Sequence, residues 1–222
     1  MPGPGSWLAA NVDIDIYSDV VCPWCYIGKR RFEQALAGFD GQVTVTYRPF
    51  QLDPDTPRGP RPLLDWLGPK FGGEARARQI TGHTTRVAAE DGIEMHFDRA
   101  LIANSFDAHR LIWFATRAGA GPAVVEALHR AHFTDGQDIG SPDVLTSVAA
   151  DAGLDAATVR AFLDSAEGVE EVRAAVEDAY QLGIHSVPTF VFAGTYAVSG
   201  AQDPAQLLAV LEEVARREAL VS

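Results

Sequence analysis

Cys22-Pro23-Trp24-Cys25 decides how this chain is read, and its cysteines are the only 2 in 222 residues. The motif sits where the alternating run Val12-Asp13-Ile14-Asp15-Ile16-Tyr17, which has strand periodicity, hands over to a helix predicted to begin at Pro23. A cysteine at the start of a helix faces unpaired backbone N–H groups and the positive end of the dipole, and both favour thiolate. Cys22 is therefore expected as the reactive thiol at an exposed tip, with Pro23 at the first helical position. Cys25, Gly28, Phe32, Ala35 and Phe39 recur at helical spacing on one apolar face, which turns Cys25 inward. An accessible thiol in front of a shielded one suits thiol–disulfide exchange, in which the first attacks and the second resolves the mixed disulfide. The plainer readings are two small core residues or half of a zinc site. A structural zinc takes four ligands, and the sequence holds no second cysteine pair.

With 47% apolar residues the chain can bury one large core, or one domain with a second inserted in it. A net charge of -12 argues against nucleic acid or an anionic membrane as the main partner. Met1 to Ala10 lacks the basic and apolar runs of a secretory signal, and no stretch approaches a membrane span. These features lead to the expectation of a soluble cytoplasmic protein, where a lone cysteine pair is redox-cycling rather than a structural staple.

Outward from the motif, the predicted helix ends near Gly38 and a second strand follows at Val43 to Arg48, an order that gives a parallel crossover. The motif then lies at the carboxyl end of its strand, where open α/β sheets bind ligands. Asp53 to Pro62, rich in proline, reads as an extended connection. Beyond it come only helices: Leu63 to Phe71, Glu74 to Asp91, one capped at Asn104 or Ser105, and one opening at Pro122. Three more follow, from Ser141-Pro142, from the cap Asp155, and from Val169 to about residue 182. Thr189 to Phe192 and Thr195 to Val198 form a hairpin, and a last helix starts at Pro204. The expected fold is α/β, thioredoxin-like with an inserted all-helical domain. The division is 1–60 and 183–222 for the thioredoxin-like parts and 61–182 for the insertion.

Four segments together resemble the DsbA family, and within it the FrnE-like branch. They are Asp15-Ile-Tyr-Ser-Asp-Val-Val-Cys-Pro-Trp-Cys-Tyr-Ile-Gly28, Tyr47-Arg-Pro-Phe-Gln-Leu52, Gly183-Ile-His-Ser-Val-Pro-Thr-Phe190 and Val198-Ser-Gly-Ala-Gln202. The likeness runs from about residue 12 to 216 and implies a thiol–disulfide oxidoreductase acting through Cys22 and Cys25, supported by Pro23, Trp24, Val187 and Pro188. It implies protein or small-molecule thiols and disulfides as partners, no metal or organic cofactor, and glutathione as an allowed co-substrate. It further implies a cis Val187–Pro188 bond beside the motif, where a partner chain can pair with the Val187 backbone as an added strand. Asn104 to His109 resembles a helix start that overhangs the site. His109 is thus a candidate for tuning the thiolate or touching substrate, against the plainer role of a structural histidine.

Two departures from the family pattern weaken the oxidising power expected of the disulfide. Trp24 stands where DsbA itself has histidine, and Asp19 places a carboxylate three residues before Cys22. The direction of exchange stays open between oxidase, reductase and isomerase, and the oligomeric state stays open too, a homodimer included. The alternatives are a glutathione-dependent enzyme resembling 2-hydroxychromene-2-carboxylate isomerase or kappa-class glutathione transferase, which generally carry a reactive serine, and a non-catalytic binding module or chaperone. His129, His132 and Asp135 are weighed as metal ligands against solvated groups on a surface helix. Asp15 is weighed as a buried acid serving Cys25 against an outward strand carboxylate. Trp66, Trp113, Phe190 and Phe192 read as core and cleft lining.

Overall fold

Alternation along β1 (Asn11–Ser18) sends Val12, Ile14 and Ile16 to one face of a sheet, and every other element is placed by what covers that face. The structure, a computed structural model, describes residues 11–221, so the reading of Met1 to Ala10 as free of a secretory signal lies outside the described residues. α1 (Pro23–Ala37) follows, then β2 (Gln42–Pro49), paired parallel to β1. After the intervening helices, β3 (Thr189–Phe192) pairs antiparallel to β1 on its other side, and β4 (Tyr196–Ser199) completes the order β2-β1-β3-β4. α9 (Pro204–Val221) closes the chain. This is the thioredoxin arrangement. Phe32 of α1 and Leu207 and Leu211 of α9 bury with Val12, Ile14, Ile16, Phe190 and Phe192. Each such side chain contributes about 1.5–3 kcal/mol by leaving water.

The intervening helices are α2 (Leu63–Phe71), α3 (Glu74–Glu90), α4 (Phe106–Arg117), α5 (Gly121–Phe133), α6 (Pro142–Asp151), α7 (Ala156–Leu163) and α8 (Val169–Gln181). Leu111, Val124, Leu128, Leu145 and Val159 form their own core. On the second face of the sheet, Tyr17 and Phe50 pack with Ala179 and Ile184. Asp155 caps α7 as expected, its carboxylate accepting the Thr158 N–H at 2.8 Å. At α4 the choice between Asn104 and Ser105 resolves to Asn104: Ser105 makes no side-chain cap bond, whereas Asn104 Oδ1 accepts the Phe106 N–H at 3.1 Å. Asn104 Nδ2 also donates to the carbonyls of Pro54 (3.1 Å) and Thr56 (3.0 Å), pinning the helix start to the proline-rich connection.

α1 is buried on more than the face its apolar spacing marks. Lys29 lies in the seam between α1 and α5, its Nζ 2.6 Å from Glu33 Oε1 and 2.5 Å from Glu126 Oε2. Tyr26 Oη and Arg30 Nη2 each donate to Glu126 Oε1 at 3.0 Å. Burial pushes the Glu126 carboxyl up, but Lys29, Tyr26 and Arg30 outweigh it and hold the group below the usual carboxylate range. One carboxylate thus ties the thioredoxin helix to the helical layer. Glu126→Ala is expected to lower stability by about 1–3 kcal/mol, less than a fully buried pair because Glu126 is part-exposed and Glu33 still faces Lys29. A urea midpoint unchanged from wild type would contradict this.

Candidate active site

Cys22 caps α1 in extended conformation (φ -91°, ψ 114°), its N–H bonded to Asp19 O at 3.0 Å. Its carbonyl accepts the Cys25 N–H at 3.0 Å, so that N–H is engaged by backbone rather than directed to the Cys22 sulfur. The Val187–Pro188 bond is cis, and Cys22 Sγ lies 3.9 Å from Val187 O. The motif and the late proline therefore meet, although 165 residues separate Cys22 from Val187. Gly28 permits the approach: a Cβ there would stand 2.8 Å from Pro188 Cγ. The Pro188 turn is held from the other side by Gly200 N–H to Pro188 O (2.7 Å) and by Thr189 Oγ1 to Ser186 O (2.8 Å).

The expected exposure of Cys22 is not what the structure has. Cys22 is 4% exposed and Cys25 2%, and it is Trp24, at 37%, that reaches solvent. Because the turn carrying Val187 folds back over the helix start, the first sulfur sits beneath a carbonyl instead of at an open tip. The inward placement of Cys25 agrees with its helical position. Burial raises the Cys25 thiol well above its ordinary value, and hydrogen bonding to Cys22 together with the charge there adds to this. Against these, the nearby Asp19 N–H and Ser18 hydroxyl favour its anion.

Asp19 is fully buried. Its Oδ2 accepts the Leu52 N–H at 2.8 Å, and its Oδ1 accepts Val21 N–H at 3.4 Å and lies 3.3 Å from His109 Nε2. Burial pushes this carboxyl up, yet His109, the Leu52 N–H and Ser105 outweigh it and hold it below the usual carboxylate range. His109 Nε2 is also 2.9 Å from Phe50 O. Asn104 is bonded to Gln51, whose Nε2 donates to its Oδ1 at 3.5 Å. Asp19 and His109 are thus bonded to each other behind the motif, while Asn104 bonds elsewhere, to Gln51, Pro54, Thr56 and Phe106. Asp15 joins neither group: Arg48 Nε donates to its carboxylate at 2.8 Å across the β1–β2 pair, which matches the outward reading.

His129 and His132 are not solvated. Both are fully enclosed, and none of their four ring nitrogens has a hydrogen-bond partner among the described residues. His129 stacks on Tyr26 with centroids 4.9 Å apart, and His132 meets Phe133 edge-on at 4.5 Å. A surface helix was the wrong expectation because α5 is covered on one side by α1 and on another by its helical neighbours. Among the described residues no group of three or more histidine, cysteine or acidic side chains is disposed to hold a metal. Trp66 and Trp113 line clefts, while Phe190 and Phe192 are core, as their spacing suggests. The cleft bearing Trp66, about 230 Å³, starts at Val21 and runs past Leu52, Leu63 and Leu67.

The family model for the DSBA-like thioredoxin domain matches residues 13–212. The uncharacterized protein YwbO of Bacillus subtilis is 32% identical over 189 residues, 83% of this chain and 88% of that protein. The crystal structure of a probable DsbA oxidoreductase from Streptomyces coelicolor is 36% identical and superposes with a TM-score of 0.86, covering 91% of this chain and 89% of that one. The cytosolic disulfide reductase DsbM of Pseudomonas aeruginosa, solved with GSH, shares the fold at 22% identity and a TM-score of 0.65, over 92% and 99% of the two chains.

Burial carries His129 down to about 3 and His132 down to about 4, from 6.5. Both rings are neutral in the fold and protonated in the unfolded chain below pH 6.5, so unfolding takes up protons there. Stability is complete above that pH and falls as pH drops toward 4. Each ring is expected to remove about 2 kcal/mol at about pH 5. Replacing both with phenylalanine flattens the dependence of the urea midpoint on pH between 6.5 and 4. An equally steep profile in the double variant would assign the acid loss to other groups.

Proposed function

Because the chain belongs to the DSBA-like thioredoxin domain family, whose members are disulfide oxidoreductases, we propose that it is a thiol–disulfide oxidoreductase of the FrnE type. It works through Cys22-Pro23-Trp24-Cys25 in the cytoplasm, with no metal or organic cofactor and with glutathione as co-substrate. The observation that carries this reading is the position of Cys22 Sγ, 3.9 Å from Val187 O at a cis Val187–Pro188 turn, with Cys25 one helical turn behind.

In the reducing direction Cys22 thiolate attacks a substrate disulfide, forming a mixed disulfide and expelling one substrate thiolate. The Cys25 thiolate then attacks Cys22 Sγ, expelling the second substrate thiolate and leaving the Cys22–Cys25 bond. The substrate gains two electrons, and two thiols such as glutathione return them to the enzyme as they are oxidised to their own disulfide. The timing is built into the pair. While Cys22 is an anion, its hydrogen bond and charge add to burial in keeping Cys25 protonated; once Cys22 is bonded to substrate these two additions vanish, and burial is opposed by the nearby Asp19 N–H and Ser18 hydroxyl, which favour the Cys25 anion.

Exposed apolar side chains support protein substrates. Trp24 and Leu52 flank the motif, Tyr180 donates to Gln51 O at 3.4 Å, and Leu182 follows on the way to the Val187 turn. A glutathione-dependent isomerase has no use for a second thiol held behind the first, so Cys25 favours exchange. Wild type is expected to reduce insulin with glutathione or dithiothreitol as donor, Cys22→Ser to lose the activity, and Cys25→Ser to accumulate a mixed disulfide visible by mass. Wild type inactive in both reducing and oxidising assays would refute the exchange reading.

A further inference from the structure

A cleft of about 240 Å³ lies between β2, an edge strand of the sheet, and helices α4, α5 and α8, and neither cysteine nor Val187 is among its walls. Val20, Ile112, Val125, Val172 and Ala175 make those walls largely apolar. The volume falls below the roughly 300–1,000 Å³ of pockets for drug-sized ligands, so it suits a small molecule.

The charged walls give the sign of the occupant. Arg48 near the end of β2 and Arg117 at the end of α4 line the cleft together with His109, and no carboxylate of the described residues does. That is unusual in a chain with 30 acidic residues against 18 Lys and Arg, and the clefts along α5, beside Trp66 and at the start of β1 each include at least one acid. Neither guanidinium is used up by its partner. Arg48 gives Nε to Asp15 at 2.8 Å and Arg117 gives Nη1 to Glu167 at 3.2 Å, and among the described residues their other N–H groups make no hydrogen bond. Arg117 is also held in position, its guanidinium carbon 4.6 Å from the Trp113 ring centroid.

The remaining polar walls turn an anion away from themselves. His109 Nε2 is committed to Phe50 O at 2.9 Å and to the Asp19 carboxylate at 3.3 Å. Burial, then the charges of Glu33, Glu126 and Cys25, keep the Tyr47 phenol protonated, so negative charge already bears on that wall. A ligand is therefore oriented, with its charge toward the arginines and its apolar part toward Tyr47 and His109.

We propose that this cleft binds a small carboxylate with an apolar body. The carboxylate rests on the free N–H groups of Arg48 and Arg117, whose exposed side chains stand at the mouth, and the body lies against Val20, Ile112 and Val172. The site is separate from the thiols, and its occupant takes no part in exchange.

Benzoate, phenylacetate and hexanoate are the probes, each titrated into the isotope-labelled full chain. Binding is read by NMR at the Trp113 indole N–H, identified by its absence in Trp113→Phe. At least one probe is expected to give a saturable shift, and the matching alcohol, which keeps the body and lacks the charge, to bind at least about tenfold more weakly. The double variant Arg48→Gln/Arg117→Gln is expected to weaken the carboxylate by about 10–100-fold, and Ala175→Phe, which fills the cleft, to abolish binding. Cys22→Ser is expected to bind as wild type does. The proposal is overturned by the absence of a saturable shift with all three probes, by alcohols that bind as tightly as the acids, or by an affinity unchanged in the double arginine variant. Loss of binding in Cys22→Ser overturns it too, by moving the carboxylate to the motif. If Ala175→Phe does not fold, the exposed arginine pair still decides the outcome.

Discussion

The geometry of the site rests on one buried anion. Asp19 takes N–H donors from Val21 and Leu52 and lies against His109, while its own carbonyl holds the Cys22 N–H. Those partners belong to the helix start, the exit of β2 and α4. A carboxylate removed from water is tolerated only when hydrogen bonds replace its hydration, and breaking such an arrangement from one side costs about 3–5 kcal/mol. The three segments are consequently fixed to one another by electrostatics as well as by packing. The same carboxylate limits how much negative charge the neighbourhood accepts, which bears on the balance of the two thiols.

Lys29 repeats this logic at the seam between the two layers. It is buried on a helix that already presents an apolar face to the sheet, and it is compensated by two carboxylates, one from its own helix and one from α5. There α1 lies between the sheet-and-α9 core on one side and residues of α3 and α5 on the other. That middle position explains why Tyr26, Ile27, Gly28 and Lys29 are all buried in succession.

Much of the fold was legible in the sequence because its signals are local. Alternation marked β1 and β2, Pro23, Pro122, Pro142 and Pro204 marked helix starts, and the Ala193-Gly194 turn marked the hairpin. The inward placement of Cys25 and Gly28 was legible from helical spacing. What escaped was long-range. Helical spacing assigns one face, so it could not show that α5 is covered on several sides and that His129 and His132 are sealed among aromatic rings. Nor could spacing show that the Val187 turn covers Cys22, because that contact joins segments far apart in the chain.

Gly28 has a consequence that reaches beyond packing. The absence of a side chain lets α1 and the proline ring touch, so the depth at which the first sulfur sits is set by a contact one turn away from the chemistry. Even a methyl group there would act as a wedge, lifting the ring and the carbonyl it carries away from the helix while leaving both thiols in place. Entry to the sulfur and reactivity of the sulfur are therefore separable variables in this protein, and a lineage or a designer could adjust the first through a single residue that performs none of the chemistry.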